Sequence, residues 1–395
     1  MKELAKRTAV AALAGVMAAG MLTGCGEKKL DGTKTVATVD GTEIPMGVVS
    51  LAARHQQTQV EYMYKMYFGE SNVWDNVYDD ESGETYGEET VNSVLKDIEL
   101  MYIMKEKAAD YGAELTEEDE AAIAEAAAAF MEANSEETIE TLAVTEEQVK
   151  TYLELQTCQQ RVHDALRAEA EVEVTDEEAN QSSFTYVSIS TTGEDLTDED
   201  KENLKANAQE ILDQMKEDPE ADMDEVAKSV DESYSALSGS FTANKADDEE
   251  ETSSYPVEVL DALREVKDGE MVDEVIETDT AYYVARLDLA LDEDATESKR
   301  ESLDSSKRDE YYTETTEQWL SDADIKVDEK VLDTLTMTDS HKFSMPTATP
   351  TPSPEAEDME TKEETEASAE TTEEEDADAE EDTASAKEDA ENADE

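Results

Sequence analysis

The sequence predicts an α+β fold in which helices outnumber strands, and three observations carry that prediction. Between Val91 and Tyr102 the apolar residues Val91, Val94, Leu95, Ile98 and Met101 recur in steps of three and four, the period of a helix with one buried face. From Phe184 the texture changes to FTYVSIS, where apolar and polar residues alternate as in a half-buried strand. After the strands helical texture returns in SKRESLDSSKRDEYYTETTEQWLSDADIKVDEKVLDTL, with Tyr312, Thr316 and Trp319 able to share a face. A sheet-bearing middle between two helical stretches fits helices segregated from an antiparallel sheet.

The elements follow in chain order. Lys2, Lys6 and Arg7, with Glu3 among them, precede a short apolar run from Thr8 to Leu22. Small residues Thr23 and Gly24 then lead to Cys25, the layout of a secretory signal segment over residues 1–24. Residues 25–35 read as a polar linker. TVATVDGTEIP reads as a hairpin: Val36–Val39 extended, Asp40-Gly41 the tight turn, Thr42–Ile44 returning. Pro45 suits the first turn of the next helix. VEYMYKMYFG then groups Tyr62, Met63, Tyr64, Met66, Tyr67 and Phe68, before an acidic loop DDESGETYGEE. The helix from Val91 is expected to stop at Gly112. LTEEDEAAIAEAAAAFMEAN is a strong helix former. Thr145 with Gln148, and Thr175 with Glu178, have the spacing of capping boxes. Cys158 shares a helical face with Leu155 and Val162, which reads as a small buried hydrophobe.

The middle stretch gives the order strand, helix, helix, helix, strand, strand. FTYVSIS opens it, NLKANAQEILDQMKED, DEVAKSVDESY and VLDALREVKDGE are the helices, and MVDEVIETDTAYYVARLDLAL holds two strands around an Asp-rich turn. From Ser344 the chain is Pro/Thr-rich and then acidic, with too little apolar surface to offset chain entropy, so residues 344–395 are expected to be disordered.

Composition excludes several functions. The 395 residues carry a net charge of -75, which argues against nucleic-acid binding, since phosphate contacts need basic stripes. No later segment reads as a membrane span. His55, His163 and His341 are the three histidines, and no GxSxG, HExxH or paired CxxC occurs, so a hydrolase or a metal site is poorly supported and no cofactor is implied. Export permits disulfides, yet only Cys25 and Cys158 are present.

Leu22-Thr23-Gly24-Cys25 resembles the lipobox of bacterial lipoproteins. The resemblance implies cleavage after Gly24 and a diacylglyceryl group on Cys25, with the acyl chains (palmitate among them) tethering the protein outside the cell membrane. The order of pieces resembles the PrsA- and SurA-type extracytoplasmic foldases, over roughly Thr35 to Leu335. VATVDGTEI is similar to the family's VATVNGxxI entry, VTDEEAN to its VTDEE helix start, and EQWLSDADIKVDEKVLD to its closing helix and strand. The resemblance implies a helical chaperone core from residues 36–181 and 294–343, with a parvulin-like domain inserted at 182–293. It also implies unfolded or newly exported proteins as partners, and leaves a homodimer open. DMDEVAKSVDESYSALSGSF is similar to DFAELAKEYSxD…GGDLGWF, which puts Asp231 at the active-site acid and keeps only Gly239 of the glycine-rich signature. Tyr255, Val259 and Phe241 fall in the proline pocket. Tyr186 and Tyr283 stand where the family has its two central histidines.

Rotation about an Xaa-Pro bond breaks no covalent bond; its barrier is about 18–20 kcal/mol and uncatalysed exchange takes roughly 10–100 s. A catalyst needs an apolar grip on the ring and dipoles aimed at the twisted amide. Replacing two imidazoles by phenols, with a pKa of about 10, favours weak or absent isomerase activity. A chaperone needs adaptable apolar surface, which the Met/Tyr group supplies, about half of it expected to face the core. The rival reading is a non-enzymatic surface lipoprotein serving as a binding module or spacer.

Overall fold

The computed structural model describes residues 18–19, 30–70, 72–193, 196–245 and 253–344. Two compact units divide the chain, Met1–Thr347 and Ala348–Glu395, and all described residues belong to the first. Cys25, nearly all of the expected signal segment and, Ser344 apart, the acidic tail lie outside the described residues. Ala18–Ala19 (β1) pairs with the last described strand, Phe343–Ser344.

Thr35–Val39 (β2) and Thr42–Pro45 (β3) form the first hairpin. Asp40 and Gly41 both take positive φ, 48° and 86°, the requirement of a two-residue turn whose twist matches its strands. Met46–Phe68 (α1) follows, with Pro45 as its N-cap. Its first two turns are buried throughout, and burial ends at Glu61. A small hairpin, Val77–Asp79 (β4) with Glu84–Thr85 (β5), leads to Tyr86–Lys107 (α2). α2 ends five residues before Gly112, because residues 108–112 turn back on themselves through Ala113 N–H to Ala108 O. Glu117–Ala133 (α3), Glu136–Leu142 (α4), Glu146–Glu169 (α5) and Asp176–Ala179 (α6) complete this stretch. Capping boxes open α2, α3, α5 and α6, those of Thr145/Gln148 and Thr175/Glu178 among them. Cys158 is buried with Leu155 and Val162.

The sheet begins with Gln181–Ser190 (β6). Asp198–Glu217 (α7), Met223–Val230 (α8), Ala236–Thr242 (β7), Val257–Arg264 (α9), Ile276–Glu277 (β8) and Ala281–Asp292 (β9) follow. The four strands run antiparallel in the order β7-β6-β9-β8. Strand alternation sorts β6 between two cores. Val187 and Ile189 meet α7 and α8 through Ile211, Leu212 and Ala227. Phe184 and Tyr186 face α9 through Val259, Leu260 and Leu263. The sequence order of strand, helix, helix, helix, strand, strand lacked β7. That strand reads as a loop because it lies at the sheet edge, where Leu237, Ser238 and Ser240 stay exposed and no apolar alternation is required.

Glu293–Asp322 (α10) then runs back along α5 and α2. Its Tyr312 packs edge-on against His163, ring centroids 4.7 Å apart, Trp319 meets Tyr111 at 5.7 Å, and Thr316 is buried between them in sequence. Cations on α10 hold the segment joining α5 to β6: Arg300 donates to Val174 O, Lys307 to Glu173 O, and Arg308 to Arg167 O. Ile325–Val327 (β10) pairs antiparallel with β2, and Glu329–Leu332 (α11) follows. Phe343–Ser344 (β11) ends the described chain, after Asp339 has accepted the N–H groups of Val73 and Trp74. Leu332, Leu335, Met337 and Phe343 share one core with β2, α1 and α2.

Candidate functional site

The α9 face of the sheet gathers rings. Phe184 and Tyr186 lie two residues apart on β6 and stack at 5.2 Å. Tyr255, just before α9, meets both edge-on, at 4.9 Å from Phe184 and 5.8 Å from Tyr186. Tyr283 on β9 is diagonal to Tyr186, because Tyr186 pairs with Ala285, and their centroids are 6.0 Å apart. The structure thus brings Tyr186, Tyr255 and Tyr283 together, each half-buried. None of their phenol oxygens makes a hydrogen bond among the described residues. Burial first, then the neighbouring Tyr255 and Tyr283, pushes the Tyr186 hydroxyl up, so it stays protonated and can donate.

Gly239 pairs with Phe184 on β7, and a Cβ there would lie 2.3 Å from Tyr255 Oη and 3.0 Å from a Phe184 ring carbon. Only a residue without a side chain lets both rings close over the strand. Leu237 pairs with Tyr186, so it shares that face, and it is 51% exposed. Sequence reading missed Leu237; the alternation Leu237, Gly239, Phe241 was the signal that could have found it.

The other expected site residues sit differently. Val259 is fully buried beneath the rings, so it supports the cluster and presents no surface of its own. Phe241 is buried too, edge-on to Phe184 at 5.6 Å, with the Arg264 guanidinium over its ring at 5.2 Å. Asp231 is the C-cap of α8, a helix of the opposite face, and is exposed. Its Oδ1 accepts from Ser233 N at 2.9 Å and Ser233 Oγ at 2.6 Å, which holds its carboxyl below the usual range. No hydrogen bond joins Asp231 to the tyrosines.

A second aromatic group lies at the end of α1. Tyr62, Met63, Met66, Tyr67 and Phe68 are each at least 46% exposed, and only Tyr64 packs partly, its ring 5.3 Å from Phe68. The expectation that about half would face the core is corrected: the helix outruns the core after Glu61, whose Oε1 takes the indole N–H of Trp74 at 3.0 Å. Tyr78 and Tyr86, paired edge-on at 5.2 Å across the β4–β5 hairpin, are exposed as well. Among the described residues no cluster of acidic, imidazole or thiol groups could hold a metal ion, and no helix is long and apolar enough to cross a membrane.

No protein-family model matches the chain, and no curated protein matches it. Among solved structures it is similar to a SurA-like chaperone of Campylobacter jejuni, at 11% identity over 74% of this chain and 98% of that one, TM-score 0.25. It is similar to the peptidylprolyl isomerase PrsA of Bacillus cereus, at 15% identity over 77% and 98%, TM-score 0.27. The foldase protein PrsA of Streptococcus pneumoniae follows at 18% identity over 62% and 88%, TM-score 0.24. At such scores the likeness carries no inference, and function is argued from the residues.

Proposed function

We propose that this chain is a lipid-tethered extracytoplasmic foldase that holds newly exported, unfolded polypeptide, with prolyl isomerisation as a weak second activity. The observation that carries the reading is the end of α1, where two Met, two Tyr and one Phe stand open to water on consecutive turns. A contiguous apolar patch on a surface helix marks an interaction site. Flexible Met and amphipathic Tyr adapt to many partners and so suit clients without a fixed shape. The net charge of -75 keeps the holder soluble and favours basic clients.

Cys25 carries the tether in this reading, residues 36–181 and 294–343 form the holding core, and residues 182–293 the parvulin-like insert. A proline ring would rest on Tyr186, Tyr255, Tyr283 and Leu237, with Val259 and Phe241 supporting them from beneath. The Tyr186 hydroxyl would donate to the rotating amide. Asp231 has its Oδ2 unengaged and offers an acceptor from the α8–β7 turn. The three tyrosines are only half-buried, so water keeps access to an amide resting on them, which weakens any dipole aimed at it.

The test is a paired assay. The full chain is expected to suppress aggregation of an unfolded exported protein and to accelerate Xaa-Pro exchange in a short peptide only slightly. Strong exchange with no suppression would make it chiefly an isomerase. Neither activity would leave a surface lipoprotein acting as spacer or binding module.

A further inference from the structure

An opening lies beside α2, where the C-terminal segment packs against it. This cavity of about 590 Å³ is walled by Leu95 of α2, Leu320 of α10, Ile325 of β10 and Leu332 of α11. Into it faces Glu99, one helical turn beyond Leu95 and only 6% exposed. Glu99 Oε1 is buried and has no hydrogen-bond partner. A carboxyl left in this state is rare, because an unmatched buried polar group lacks the hydration it had in the unfolded chain. Two more carboxylates, Glu317 of α10 and Glu329 of α11, line the same opening from its exposed side. β10 contributes only apolar side chains, and Lys96 is the one cation of the lining.

We propose that this cavity receives a lysine or arginine side chain of a bound polypeptide, its stem along the leucines and its cationic head between Glu99, Glu317 and Glu329. The shape and the charge agree: an aliphatic stem of three or four methylenes needs apolar walls, and its cation needs carboxylates without a partner beside it. A divalent metal fits less well, since no three acidic or imidazole groups among the described residues converge tightly enough to ligate one. The proposal rests on the foldase reading and deepens it: the end of α1 takes apolar segments of the client, and this cavity selects basic ones.

Glu99 also gives the site a pH signature. Burial raises its carboxyl from the ordinary 4.5 to about 7, opposed only in part by Lys96 on the same helix. Glu317 and Glu329 are the titratable groups that line the opening from the other elements, and Lys96 is its one cation. A cation binds the ionised form, so affinity increases as the proton leaves.

Fluorescence anisotropy on the full chain tests this, with a labelled leucine–lysine peptide and its fully acetylated twin. The lysine peptide is expected to bind roughly tenfold more tightly at about pH 8 than at about pH 6, a window in which its own amines stay charged. Glu99→Gln should remove that step and weaken binding about tenfold at the higher pH. Glu317→Gln, on the exposed face of α10, should weaken it about threefold and stands in should the first variant fold poorly. The acetylated twin should bind weakly and without regard to either change. Equal binding of lysine peptide by wild type and both variants, or equal binding of the two peptides by wild type, overturns the proposal. Aggregation assays on the same preparations separate the two readings. Suppression without Glu99-dependent binding leaves the foldase standing and the cavity refuted. Glu99-dependent binding without suppression does the reverse.

Discussion

The helical part and the sheet part of this molecule both cluster aromatic side chains, and they treat them in opposite ways. On the sheet, Phe184, Tyr186, Tyr255 and Tyr283 touch one another, so much of their apolar area is already removed from water. At the end of α1, Tyr62, Met66, Tyr67 and Phe68 have few neighbours and stand 61–70% exposed. The difference is one of free energy. A ring already packed gains little when a partner arrives, whereas an open one contributes about 1.5–3 kcal/mol if a partner covers it fully. Among the buried carboxyls of the helical part, Glu61 and Glu99 have pKa values raised by burial, while no carboxyl of the sheet part is buried among the described residues. The rings of the sheet cover one another, whereas those at the end of α1 are left open to a partner.

The strongest way to break this contrast is to remove the centre of the sheet cluster. Phe184→Ala should destabilise the sheet part by about 3–5 kcal/mol, seen as early loss of tyrosine-rich near-ultraviolet dichroism on denaturant melting. Holding of unfolded clients should survive it below the melting point; if holding is lost, the two parts do not act separately. Next, Tyr62, Met66, Tyr67 and Phe68 changed together to Ser should lower aggregation suppression about tenfold or more with an unchanged melting point, because the side chains already face water. A fall in the melting point instead would mean that these residues serve the fold.

Glu99→Gln sharpens the contrast through stability. The folded pKa of Glu99 lies above its unfolded value, so its favourable contribution is complete below about pH 4.5 and is lost as pH rises through about 7. The neutral variant should therefore be more stable than wild type at about pH 8, by about 1–2 kcal/mol once water entering the cavity is allowed for, and no more stable at about pH 4. Denaturant midpoints at the two pH values read this directly. The smallest effect is expected at Asp231. It is fully solvated, so Asp231→Asn should slow any prolyl exchange by less than about threefold in a peptide assay. A larger loss would bring the acid into the tyrosine site.

Local signals were legible where the chemistry is local. Asp40-Gly41 announced a turn because two consecutive positive φ angles need such residues, and Thr145/Gln148 and Thr175/Glu178 announced helix starts because both partners of a capping box lie within four positions. Cys158 followed from its helical face. Features set by distant chain were not legible. β7 looks like a loop until β6 pairs with it. Glu99 interrupts the apolar stripe of α2, and nothing nearby says that Leu320, Ile325 and Leu332 will seal it from more than two hundred positions away. Val259 was placed in a pocket by resemblance, yet α9 turns it fully into the core. The exposure of the α1 tip depends on where the core ends, which periodicity alone does not state.

Site-specific photocrosslinking tests the central claim most directly. A photoreactive phenylalanine derivative is placed at Tyr67 in one preparation of the full chain and at Tyr283 in another, and each is irradiated with an unfolded exported protein. The account predicts abundant adducts from position 67 and few from position 283. Adducts confined to position 283 would contradict it, and would move client binding from the helical part to the sheet.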